Sequence, residues 1–222
     1  MIALTPDLTF TGGRGLVQDA GRVGDWMQTY SGRRFYPLDP RAADVDIIDI
    51  AMALGNMSRY GGHCRFYSVA EHSVMVSHAV PAELALEGLL HDATEAYITD
   101  LIRPLKRALG PANDYFKIDT NIRLAIAERF GLAPTEPALV KQADVAVLGA
   151  EKAVLHPRSD PWELPFPDPG LKIRCLLPPA SQKYFLARYA VLTSEDLAGL
   201  LDRVNAMLDY DEIALRAHQG IR

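Results

Sequence analysis

The sequence predicts an all-α fold: a bundle of helices with an irregular N-terminal arm and a proline-rich loop ahead of the last two helices. Three observations carry this reading. From about Asp44 onward, apolar residues recur at three- and four-residue spacing rather than alternating. Helix-start residues stand ahead of those runs, above all Ser68 with Glu71 three positions on. Prolines gather between the runs, most densely from Pro157 to Pro179.

Taken in order, residues 1–43 hold Gly12, Gly13, Gly15, Gly21, Gly24 and Gly32 and end in Phe35-Tyr36-Pro37-Leu38-Asp39-Pro40. They read as an arm of short extended pieces and turns, ordered where Trp26, Tyr30, Phe35 and Tyr36 find packing partners. The remainder, 44–222, is expected to form one domain. Its first helix runs through Ile47, Ile48, Ala51 and Leu54 with Asp44 as its cap, and Gly61-Gly62 breaks it. Ser68 caps the second, with Glu71 completing an S-x-x-E capping box and an apolar face of Val69, Val76 and Val80. Pro81 opens the third, whose stripe is Leu84, Ala85, Leu89, Leu90 and Ala93. After a break at Arg103-Pro104, a helix over about 112–130 buries Ile118, Ile122, Ala125 and Ile126 and stops at Gly131. Another over 135–156 runs through Leu139, Ala143, Val147, Leu148 and Val154. The loop from Pro157 carries Pro161, Pro165, Pro167, Pro169 and Pro178, too many for regular helix. Helices near 179–192 and 194–209 complete the chain.

A chain of 222 residues can bury a core without disulfide staples. Twenty-three Lys and Arg against 28 Asp and Glu leave a net charge of −5, which disfavours a partner such as long nucleic acid while allowing a local basic pocket for a small anion. Cys64 and Cys175 are too few for a disulfide framework and read as free thiols in a reducing compartment. No apolar run approaches the roughly 18 residues a membrane span needs, and the N-terminus lacks the pattern of a signal peptide. A cytoplasmic protein without membrane association is expected.

The chemistry-bearing residues start with His91-Asp92, because an adjacent His and Asp inside an apolar helix are costly to bury unsatisfied. His72 lies upstream on the helix opened by Ser68, and Asp144 downstream in the apolar run Ala143-Asp144-Val145-Ala146-Val147. Two imidazoles and two carboxylates from three helices make a mixed nitrogen and oxygen set suited to a divalent metal with open positions for water. Neighbouring residues of one helix point about 100° apart, so His91 and Asp92 can share an ion only beside the helix axis.

The words around these residues are Ser68-Val69-Ala70-Glu71-His72-Ser73, Gly88-Leu89-Leu90-His91-Asp92-Ala93-Thr94-Glu95-Ala96 and Ala143-Asp144. They resemble the HD-domain superfamily of metal-dependent phosphohydrolases, and within it the bacterial 5′-deoxynucleotidases and phage deoxynucleoside triphosphohydrolases. The resemblance covers roughly residues 44–156. It implies His72, His91, Asp92 and Asp144 as metal ligands, with Glu95 orienting the attacking water or helping to hold a second ion. Asp100 would be a second acid near the leaving side, preceded by Thr99 where related sequences more often have Gly. Arg59-Tyr60 matches an Arg and an aromatic residue that hold phosphate and sugar or base, and Lys106 matches a phosphate-binding lysine. The metal is Mn, Co, Fe, Zn or Mg on this ligand set. Analogy with other helical proteins of this class implies a homodimer.

The remaining polar residues carry weaker expectations. His63 and Arg65, in the loop Gly61-Gly62-His63-Cys64-Arg65, are candidate substrate contacts. His78 faces away from the metal by helical phase. Glu151 returns to the face of Asp144 and reads as an ion-pair partner more readily than as support for a ligand. His156 has no assigned role, and Trp162 covers a bound base or, more commonly, anchors its loop.

The expected activity is metal-dependent hydrolysis of phosphate from a small nucleotide, first a deoxynucleoside 5′-monophosphate and second a deoxynucleoside triphosphate. A cyclic-nucleotide or guanosine-tetraphosphate hydrolase is a third option. A non-catalytic metal-dependent nucleotide sensor is the reading of a different class.

Overall fold

In the computed structural model, residues 21–218 are described, with side chains to residue 209. The first half of the expected N-terminal arm therefore lies outside the described residues. The fold is all-α. Among the described residues the only strands are β1 (Met27–Gln28) and β2 (Arg34–Phe35), paired antiparallel with Met27 opposite Phe35. This small hairpin carries Phe35 and Tyr36 into the interior, both fully buried, and Phe35 stacks on Tyr97 at 3.8 Å.

Asp46 caps the first helix, α1 (Ile47–Asn56), by accepting from the Ile48 amide at 2.9 Å. Asp44, the cap expected from sequence, instead ends a 3-10 turn and pairs with Arg22. The helix stops at Asn56, before the two glycines. α2 (Val69–Ala79) starts at Ser68, whose hydroxyl accepts from the Glu71 amide at 3.0 Å as the sequence predicts. The other half of the capping box does not form. The Glu71 carboxylate, fully buried, reaches away from the helix and accepts the amides of Arg174, Cys175 and Leu176 at 2.6, 3.1 and 2.7 Å. α2 is buried on all sides from Val69 to Ser77, which makes it the central helix rather than one with a single apolar face.

α3 (Ala85–Leu90) ends just before His91, and α4 (Glu95–Ile98) begins after a turn that His91–Thr94 make with 3-10-type bonds from Ala93 to Leu90 and from Glu95 to Asp92. The expected single helix is thus interrupted at the His-Asp pair. A further helix, α5 (Arg103–Leu109), starts where a break was expected, because Pro104 sits in its first turn, where its missing N–H costs nothing. α6 (Asp114–Phe130) is capped by Asn113 and closed by Gly131 at φ 68°. α7 (Ala138–Leu155) buries Val140, Ala143, Val147 and Leu148, whereas Leu139 and Val154, expected inside, are about half exposed. After a stretch without helix or strand over 156–177, α8 (Pro178–Thr193) packs across α1 and α2, and α9 (Leu197–His218) follows. No described helix is long and apolar enough to cross a membrane.

Thr99, after α4, holds φ 68° and ψ 157°. That region is open to glycine and costs a β-branched residue about 1–3 kcal/mol. Thr99→Gly is therefore expected to stabilise the protein by about 1 kcal/mol after the added freedom of the unfolded chain is deducted. A thermal melt should read this as a rise of about 2–4 °C; an unchanged or lowered midpoint would contradict the strain.

Candidate metal centre

His72 projects from the middle of α2, His91 and Asp92 from the turn after α3, and Asp144 from α7, so three segments that pack against one another converge on one point. His72 Nε2 lies 3.2 Å from Asp144 Oδ1 and 3.6 Å from Asp92 Oδ2. His91 Nε2 lies 3.2 Å from Asp92 Oδ2 and 4.0 Å from Asp144 Oδ1. One donor atom each from His72, His91 and Asp92 fall within 4.8 Å of one another. Donors bonded to a common ion at about 2.0–2.2 Å show separations of this order. The tight turn at 91–94 is what lets neighbouring residues address the same point.

Hydrogen bonding defines the free nitrogens. His91 Nδ1 lies 2.9 Å from the Gly88 carbonyl, which can only accept, so Nδ1 carries the proton and Nε2 the lone pair in a neutral ring. His72 Nδ1 is likewise taken by Glu151 at 2.6 Å. Both Nε2 atoms are buried without a hydrogen-bond partner and face carboxylate oxygens. Lone pair against lone pair is repulsive unless something positive lies between, either a proton or a cation. The group His72, His91 and Asp92 therefore fits a divalent ion, with Asp144 Oδ1 beside it at 3.2 Å from His72 Nε2.

The carboxylates favour positive charge at both rings. Burial and the nearby Arg59 lower the His72 pKa, but Glu151 and Asp144 outweigh them and leave it raised. Burial lowers that of His91, and Asp92 more than restores it. Asp144 is held well below the carboxylate range: burial opposes this, but the close approach of His72 and the charges of both histidines and Lys141 prevail. Its second oxygen, Oδ2, is occupied by Lys141 at 2.8 Å and Arg103 at 3.3 Å, which leaves Oδ1 for the histidines.

Glu151 is the residue that sequence reasoning undervalued. It is fully buried beneath the site and gathers His72, Arg59 at 3.4 Å and the Tyr60 hydroxyl. Burial raises its pKa, yet Arg59 and His72 bring it down to about 2. It is an ion-pair partner, as expected, and it also orients the His72 ring. Its seven-residue spacing from Asp144 was the available signal. A carboxylate behind a ligating histidine is typically worth 10–100-fold in metal affinity. Glu151→Gln is expected to weaken divalent-metal binding by about tenfold in a titration against a competing chelator, and unchanged affinity would remove that role.

The convergence point opens onto a cleft of about 790 Å³ whose lining includes Asp92, Asp144, Arg59, Tyr60, Glu95, Asp100 and Lys106. Glu95 is buried, and its Oε1 accepts from Lys106 Nζ at 2.9 Å while Oε2 is without a partner. Burial and the Asp92 charge push its carboxyl well above the usual range, against the pull of Lys106. Arg59, also buried, lies 3.6 Å from Asp92. Two expected substrate contacts are not brought in: His63 and Arg65 are exposed and outside the cleft lining, because the turn at Tyr60–Gly62 directs the following residues outward. Arg103, Arg107 and Lys141 line the cleft without having been anticipated. Lys141 stands one helical turn before Asp144, the one signal that pointed to it.

Fold and site together define a helical protein with a candidate divalent-metal centre at the floor of a cleft with basic walls. No protein-family model matches the chain. It is 44% identical over 128 residues to the uncharacterized protein YfdR of Escherichia coli K12, covering 57% of this chain and 70% of that protein. It is 35% identical over 188 residues to the uncharacterized protein RCAP_rcc00048 of Rhodobacter capsulatus, covering 75% of this chain and 95% of that protein. The chain belongs to the family that these two proteins represent.

Proposed function

We propose that the protein is an HD-type metal-dependent phosphohydrolase acting on a small nucleotide, with a deoxynucleoside 5′-monophosphate as the first choice of substrate. The observation that carries the reading is the pair of partnerless His72 and His91 Nε2 atoms facing two carboxylates at the floor of a cleft with cationic side chains on its walls. A divalent ion held by His72, His91 and Asp92 would supply Lewis-acid polarisation of a phosphoryl oxygen and make water more acidic. Glu95 aims or deprotonates the attacking water through the oxygen that Lys106 leaves free. Arg59 and Lys106 balance charge on the phosphoryl oxygens, the first as a planar fork and the second as a point charge. Asp100, on the cleft lining beyond Thr99, protonates the departing oxygen or binds the sugar hydroxyl.

Three further cations on the cleft, Arg103, Arg107 and Lys141, favour a second reading in which the substrate carries more than one phosphate. The test is a nucleotide panel run with Mn, Co, Fe, Zn and Mg, reading phosphate, pyrophosphate and tripolyphosphate separately. Phosphate released from deoxynucleoside monophosphates and lost on chelation supports the first reading, and tripolyphosphate release the second. Nucleotide binding without any turnover would replace both with a sensor.

A further inference from the structure

Beyond the metal centre, the cleft has an aromatic end that the phosphate chemistry does not use. Trp162 and Leu164, from the 156–177 segment, line it together with Tyr60 and Leu148. Leu148 follows Asp144 by one helical turn, so apolar surface begins immediately beside the polar floor. The Tyr60 ring meets His156 edge-on at 4.7 Å and Trp162 at 6.0 Å, and the Trp162 and His156 rings lie 5.4 Å apart. The Tyr60 hydroxyl, at the other end of that ring, bonds to the Glu151 carboxylate that orients His72. One tyrosine therefore spans from the support of a candidate ligand to the face of the tryptophan.

A tryptophan that merely anchors a loop would be packed on the core. Among the described residues, neither Trp162 nor Leu164 belongs to the core cluster or to the partly buried residues packed against it. The Trp162 ring contacts are His156 and Tyr60, and the residue is half-buried on the cleft. A broad indole on the wall of a cleft, one ring away from Arg59 and in the same lining as Lys106, is suited to a ligand with a flat π-face at one end and a phosphate at the other.

We propose that Trp162, held by His156 and Tyr60, is the stacking wall for the nucleobase and the determinant of preference for nucleotides over base-free sugar phosphates. This rests on the phosphohydrolase reading above, and the experiment separates the two. The metal-loaded protein, Trp162→Ala and Trp162→Phe are compared on 2′-deoxyadenosine 5′-monophosphate and on 2-deoxyribose 5-phosphate. Base stacking on an aromatic residue corresponds to about a tenfold effect or more. The ratio of kcat/KM for the nucleotide to that for the sugar phosphate is expected to fall about tenfold in Trp162→Ala, through KM, and to recover in Trp162→Phe. An unchanged ratio overturns the proposal, whether both activities fall together or neither moves.

Binding of 2′-deoxyadenosine, which has no phosphate, is measured on the same three proteins by calorimetry. Its affinity is expected to drop about tenfold in Trp162→Ala and to be retained in Trp162→Phe. That result supports the wall even if no nucleotide is hydrolysed. Absence of deoxyadenosine binding to the unmodified protein overturns it even if phosphate is released.

Discussion

Asp92→Ala is expected to leave the protein without its metal and without phosphohydrolase turnover. The Asp92 carboxylate is the oxygen nearest His91 Nε2, at 3.2 Å, and lies 3.6 Å from His72 Nε2. Its loss leaves two neutral imidazoles and the Asp144 oxygen, with one formal negative charge fewer to offset a dication. Metal content measured by mass spectrometry is expected to fall to a small fraction of that of the unmodified protein. Phosphate release is expected to fall by about 10³-fold or more. A second readout does not depend on catalysis: an ion bound to the folded state alone stabilises it by about 2.7 kcal/mol at a hundred times its Kd, so added metal should raise the melting temperature of the unmodified protein and not that of the variant. Normal metal content in Asp92→Ala, or full activity after exhaustive chelation, would defeat the proposed centre.

Glu95→Gln should separate chemistry from metal binding. Glu95 is not among the converging donors; Lys106 holds one of its oxygens at 2.9 Å, and the other is buried without a partner. Glutamine keeps the shape and an oxygen for Lys106 but cannot take a proton from water. kcat is expected to fall by about 10² or more while metal content and the melting temperature stay near those of the unmodified protein. Loss of the metal would make Glu95 a ligand, and an undiminished kcat would remove it from the mechanism.

Much of the centre was legible because its signals are local. His72 follows a Ser68 cap that forms as read, and His91-Asp92 and Asp144 stand out as polar residues in apolar runs. Those runs become the packed faces of α2, α3 and α7, which is why the four side chains meet. The errors arose where a side chain chose a distant partner over a near one. Glu71 was expected to fold back on its own helix start, but its buried carboxylate takes the amides of 174–176, more than a hundred positions away. Asp44 and Asp46 are equivalent as caps by residue type; pairing with Arg22 draws the first away. Glu151 forms the ion pair expected of it, with Arg59, but its added hold on His72 was ranked second because neither residue lies near it in sequence. The helix break at His91 has no proline or glycine to announce it. His63 and Arg65 were placed at the site by nearness along the chain, and the turn beginning at Tyr60, itself at φ 58°, sends them out to solvent.

The Glu71 clamp divides labour along the polypeptide. It fixes the backbone at 174–176 from a position next to His72, while His156, at the end of α7, braces the opposite border of the same segment. The intervening span, with Trp162 and Leu164 on it, is thus moored at both margins by the helices that also carry His72 and Asp144. Grafting a different sequence between those moorings would replace the apolar wall of the cleft and leave His72, His91 and Asp92 in place.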